Sequence, residues 1–167
     1  MDSEFFLSLI ALVNVCVSWF MVGLIWVIQI VTYPIFSSVG GYKYDSFHSK
    51  HVSLITPLVA PLMVFELTVA VVLLAMSGPY WNYGYSAVNL GFMAIIWTST
   101  FLVQIPLHAK LSVRFEKKNH TRLVKTNWIR TFAWTIKGLL STILIFSLLQ
   151  IPRFIIRQIL ILKFEFY

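Results

Sequence analysis

His48 and His51 stand three residues apart, one turn if their segment is helical, and His108 closes a later apolar stretch. Neutral imidazoles suit zinc, copper or iron, and a carboxylate such as Glu66 could complete the set. Haem would need only two axial histidines facing each other, with Arg130 or Lys110 available for its propionates. The same spacing also suits histidines that hydrogen-bond to lipid headgroups or cap a helix. Glu66, Arg130 and Lys137 lie within or at the edge of long apolar runs, where a charge is costly unless it is paired or functional. Gln29, Tyr33, Gln104 and Asn127 are further polar side chains so placed. One geometric objection stands against a site that joins them all. His51 and Glu66 are 15 positions apart, roughly 22 Å on a continuous helix, so one ion reaches both only if the chain between folds back.

The elements that must position these groups are membrane helices. In 167 residues, 59% are hydrophobic, 16% aromatic and only 11% charged, more apolar material than a soluble domain of this size buries. Four runs reach the roughly 20 residues that a spanning helix needs: about 5–33, 57–76, 87–107 and 128–149. The expected fold is all-α, an integral membrane four-helix up-down bundle over 1–150, followed by a basic and apolar surface tail over 151–167. Thr56-Pro57 reads as an N-cap followed by proline at the first helical position, and Ser77-Gly78-Pro79 ends that helix. The first connection, 34–56, is then long, and its Tyr42, Tyr44, Phe47 and two histidines suggest an interfacial or re-entrant helix. Pro61 and Pro106 should kink their helices. The aromatic segment 78–85 reads as an interfacial belt.

Basic residues set the orientation. Lys43 and Lys50 fall in the first connection, and Lys110, Arg114, Lys117, Lys118, Arg122 and Lys125 in the third, while the second has none. The positive-inside rule puts the first and third connections in the cytoplasm and both termini outside, in the inner membrane, against the vote of Arg153, Arg157 and Lys163. The net charge of +7 then faces anionic lipid; no nucleic-acid motif accompanies it. Cys16 is the single cysteine and offers no disulfide or thiolate site. His120, in the basic third connection, is expected to be solvated.

Each helix has one face that lipid would reject. Asn14, Ser18, Gln29 and Tyr33 share a stripe with Val22 and Ile25; so do Trp97, Thr100, Gln104 and His108, and so do Asn127, Arg130, Trp134 and Lys137. In an antiparallel bundle these stripes converge in the cytoplasmic half. Glu66 lies roughly 13 Å below Pro57 and Lys137 roughly 15 Å below Asn127 at 1.5 Å per residue. Those depths match, and the expectation is that Glu66 pairs with Lys137 or, through its longer reach, with Arg130. Gln104, Asn127 and Thr100 are equally readable as interhelical hydrogen-bonding glue.

The strings 26–36 (WVIQIVTYPIF), 47–51 (FHSKH), 61–67 (PLMVFEL), 97–100 (WTST), 104–108 (QIPLH) and 126–131 (TNWIRT) together resemble a family of small four-span bacterial membrane proteins that carries no assigned activity. The likeness runs over about 19–137 and implies a four-span fold only. More loosely, four spans with buried histidines are similar in architecture to membrane oxygenases of the anthrone-oxygenase type, which favours redox chemistry.

Two function classes follow. The first is a metal- or haem-dependent oxidoreductase acting on a lipophilic substrate. His48, His51 and His108 would be its ligands, Glu66 a ligand or proton acceptor, and Tyr33 a proton or electron donor. Gln29, Gln104, Asn127, Arg130 and Lys137 would hold the substrate. The alternative is a binder or carrier of a small anion or lipid, in which the histidines only tune the pocket; as a carrier, four spans would need a homo-oligomer. An accessory subunit of a larger assembly would leave the polar stripes unexplained. No phosphate loop, G-x-S-x-G elbow or H-E-x-x-H is present, so nucleotide hydrolysis and the common hydrolases lose support.

Overall fold

The computed structural model describes residues 3–39, 41–77 and 83–148. Helix α1 (Ser3–Val27) passes through a single π-turn (Ile28–Thr32) into α2 (Tyr33–Ser38). Helix α3 (Gly41–Ala75) follows, then α4 (Tyr83–Ser99), which runs through a second π-turn (Thr100–Gln104) into α5 (Ile105–Val113), and α6 (Lys117–Leu148) closes the bundle. No strand occurs among the described residues. Four spans, Ser8–Ser38, Lys43–Ala75, Tyr83–Val113 and Lys117–Phe146, are long and apolar enough to cross a membrane. Their outward surface is built of side chains such as Leu54, Phe101, Leu102 and Ile129.

The helices pack as an up-down bundle. The span of α1 lies beside α3 and α6, α4 beside α3 and α6, and α6 is the most enclosed. In a bilayer, whose tails are as apolar as leucine, packing and polar contacts rather than hydrophobicity would hold such helices together. Between α1 and α6, Asn14 Nδ2 donates to Ser141 Oγ (3.2 Å), Trp19 Nε1 to Thr142 Oγ1 (2.8 Å) and Trp26 Nε1 to Thr135 Oγ1 (3.0 Å). The two helices meet closely at Gly138, where a Cβ would stand 3.2 Å from Val22 Cγ2.

Both π-turns have an identifiable cause. Pro34 and Pro106 each follow one, and a proline ring clashes with the carbonyl four residues back and supplies no N–H. The chain responds with i→i−5 bonds, Tyr33 N–H to Ile28 O and Ile105 N–H to Thr100 O. The added residue swings Gln29 and Gln104 inward, where both are buried.

The first connection differs from expectation. Rather than a long interfacial or re-entrant segment, α2 reaches Ser38 and α3 already begins at Gly41, so that residues 41–56 are the opening turns of α3. Thr56-Pro57 is not an N-cap, and Pro57 and Pro61 both lie inside the helix. The reason is periodicity: Tyr44, His48, His51, Ile55, Val59, Met63, Glu66, Ala70 and Leu73 form one unbroken inward stripe that gains more from staying helical than the prolines cost. The third and fourth helices also run past 87–107 and 128–149 at the basic end. Residues 78–82 of the aromatic belt and the tail 151–167 lie outside the described residues.

Candidate functional site

Two polar layers occupy the bundle interior. In the first, Lys137 Nζ donates to Glu66 Oε1 (2.6 Å) and to Ser18 Oγ (2.6 Å), while Ser18 Oγ donates to Glu66 Oε1 (2.9 Å). Trp134 Nε1 donates to Glu66 Oε2 (2.9 Å). Both charged side chains are 0% exposed. The expected partner of Glu66 is therefore Lys137, not Arg130. Every element of this layer has a partner, as burial of a charge pair demands.

The second layer lies toward the basic end, around Arg130. Gln29 Nε2 donates to the Val124 carbonyl (3.2 Å), and Gln29 Oε1 accepts from Asn127 Nδ2 (2.8 Å). That leaves Asn127 Oδ1 to accept from Arg130 Nη1 (3.2 Å). Gln104 Nε2 ties the second π-turn to α6 by donating to Thr126 Oγ1 (3.1 Å). The guanidinium lies over the face of Trp134, 5.0 Å from the ring centroid, so one indole separates the layers, its edge on Glu66 and its face on Arg130. Arg130 is 8% exposed, has no carboxylate partner among the described residues, and its Nε has no hydrogen-bond partner. Isolated buried cations are rare without a partner or a function.

The histidines form a chain of contacts at the same end. Tyr33 Oη meets His108 Nε2 at 3.4 Å, His108 Nδ1 meets His48 Nε2 at 3.0 Å, and His48 Nδ1 meets Ser112 Oγ at 3.0 Å. Each neutral imidazole has one N–H and one acceptor, so the chain can be oriented in either direction, which is the arrangement of a proton relay. Aromatic packing fixes it: Phe36 stands edge-on to His48 and His51, and Tyr44 stacks on His48 at 5.5 Å and 13°. His120 is buried rather than solvated, with Nε2 3.1 Å from the Tyr33 carbonyl.

These groups border a cavity of about 540 Å³, within the range of small-molecule sites. Tyr33, His108 and Arg130 supply its polar side, with His51, Ser112 and Thr100; Ile28, Val52, Ile55, Val59, Met63, Phe101 and Ile105 supply apolar wall. Trp97 also lines it, and its Nε1 has no hydrogen-bond partner. Two donors, Arg130 Nε and Trp97 Nε1, thus stand unused in side chains that border one cavity.

The structure brings some expected site residues together and separates others. Tyr33, His51, His108 and Arg130 share the cavity; Gln29 and Asn127 orient Arg130 from behind it. Glu66 and Lys137 belong to the ion-pair layer and do not line the cavity. Because α3 is continuous, Glu66 stays roughly 22 Å along the axis from His51, so it completes no site with the histidines. The donor set does not fit a three-histidine centre as it stands. His48 and His108 face each other through one hydrogen bond with rings 26° from parallel, which leaves no room for a macrocycle between them. No group of three or more His, Cys, Asp or Glu among the described residues is placed to hold an ion. Sequence reasoning missed Ser112, one turn beyond His108 on the same face, and misjudged His120, whose burial depends on the turn before α6. No known protein family, curated protein or solved structure matches this chain, so its function rests on the geometry of the site alone.

Proposed function

We propose that this is a multi-pass membrane protein whose internal cavity binds a lipophilic small molecule carrying an anionic group, with Arg130 as the anchor. One observation carries the reading: a buried guanidinium with an unused Nε, held in place by the Gln29–Asn127 amide chain, borders a cavity of about 540 Å³ with largely apolar walls. A carboxylate or phosphate oxygen is the natural partner of such a group. Trp97 and Tyr33 line the same cavity. The basic end, carrying exposed Lys43, Lys50, Lys110, Arg114, Lys117, Lys118, Arg122 and Lys125, faces the cytoplasm under the positive-inside rule, placing both termini outside a cytoplasmic membrane. The cavity then lies in the cytoplasmic half. Native mass spectrometry of wild type and Arg130→Met, released from mild detergent, tests the anchor. A co-purifying anion lost in the variant supports it; equal occupancy in both sinks it.

A second reading is an enzyme acting on the same ligand. It is favoured by the Tyr33–His108–His48–Ser112 chain, which ends at the cavity and could deliver or remove a proton there. A metal- or haem-dependent oxidoreductase would require His48 and His108 to give up their mutual hydrogen bond for the cofactor. Chelation and absorption spectra on purified protein decide that version.

A further inference from the structure

The cavity reaches the outer surface of the bundle sideways. Its lining includes Thr56 and Ala60 on α3 and Phe101, Ile105 and Ala109 on the facing span, all exposed on the outside of the bundle. The mouth therefore opens between α3 and the α4–α5 span, on the face that a bilayer would cover. Tyr33 on α2, His108 on α5 and Arg130 on α6 bring polar groups to the same cavity, with His51 and Thr56 on α3 and Thr100 and Ser112 on the facing span. From His51 to Met63 the α3 wall runs 12 residues, roughly 18 Å along the bundle axis. The fixed charge is a single cation, because Glu66 already neutralises Lys137.

Resting on the reading that Arg130 anchors an anion, we infer that the ligand is a single-tailed monoanionic amphiphile, a long-chain carboxylic acid, that enters head first from the bilayer between α3 and α5. The charge matches one guanidinium. A volume of about 540 Å³ with largely apolar lining suits one alkyl chain trailing toward lipid rather than the two chains of a phospholipid. A water-soluble anion would gain nothing from such a mouth, because its route would cross hydrocarbon.

The test uses full-length protein in phosphatidylcholine nanodiscs with a diazirine-tagged palmitate probe, labelled peptides being mapped after photolysis. Competitors are palmitate, butyrate and hexadecanol. Ala60→Trp and Ala109→Trp, on opposite lips of the mouth and both outward-facing, narrow it without touching the anchor. The inference expects saturable labelling of cavity peptides that palmitate displaces and butyrate and hexadecanol do not. Labelling should fall about tenfold in Arg130→Met, as loss of a charge-assisted hydrogen bond implies, and clearly in each lip variant. If butyrate competes as well as palmitate and the lip variants label normally, lateral entry of a tailed ligand is overturned while the Arg130 anchor stands. Labelling that is unaffected by Arg130→Met overturns both.

Discussion

Arg130 and Lys137 are buried cations two turns apart on the same helix, and their surroundings are opposite. Lys137 has a carboxylate at 2.6 Å and a serine hydroxyl at 2.6 Å. Arg130 has one amide oxygen at 3.2 Å, an indole face and no carboxylate among the described residues, and it lines a cavity. Trp134 touches both layers. A complete ion pair is already neutral and hydrogen-bonded, so it specifies which helices meet and in what register. An incomplete one retains affinity for a counter-charge. The contrast teaches where to look for ligand: at the cation whose partners do not neutralise it.

The comparison breaks most readily at Glu66. Glu66→Ala leaves Lys137 buried without its carboxylate and should cost about 3–5 kcal/mol, seen as a large drop in thermal midpoint or loss of monodisperse protein in detergent. Adding Lys137→Met should restore most of that loss. A single variant as stable as wild type would show that the pair does not organise the bundle. Arg130→Met should differ, costing the ligand-free protein only about 1–2 kcal/mol for the buried Asn127 Oδ1 left without its donor, while weakening anion binding roughly 10- to 100-fold. A midpoint collapse comparable to that of Glu66→Ala would erase the distinction between the layers.

Smaller effects sharpen the picture at the histidines. His108→Leu removes the contacts to His48 and Tyr33 and should cost about 1–2 kcal/mol, chiefly by leaving His48 unsatisfied. Because His48 and His108 bond to each other, a chelator should not move the wild-type midpoint. A chelator-sensitive midpoint that becomes insensitive in His108→Leu would instead restore a metal at this pair. The smallest effect is expected at Gly138→Ala, where a methyl 3.2 Å from Val22 Cγ2 should cost under about 1 kcal/mol if the valine turns aside. A loss of several kcal/mol there would mean that α1 and α6 have no room to yield.

Much of this was legible in particular residues. The stripe Asn14, Ser18, Gln29, Tyr33 and its counterpart Asn127, Arg130, Trp134, Lys137 both face inward, because the apolar outer faces of the spans leave the polar side chains to one another and the helical period fixes which positions share a face. The depth match of Glu66 with Lys137 followed from rise per residue alone. The error at 34–56 came from giving Thr56-Pro57 the weight of a helix start, although the inward stripe from Tyr44 to Leu73 runs straight through it. Local cap signals are worth about 1 kcal/mol, less than the packing that many turns of buried face secure.

The linear chain by itself determined that four apolar helices would form, that their polar faces would converge, and that one end would be basic, since these depend on composition and on a fixed period and rise. Only the tertiary structure decided which cation received the carboxylate, that His48 and His108 would meet each other, and that a cavity would open sideways beside Arg130. Those outcomes depend on the rotation and separation of helices distant in sequence. Local features such as the two π-turns and the close approach at Gly138 bear on that rotation and separation, and no periodicity encodes them.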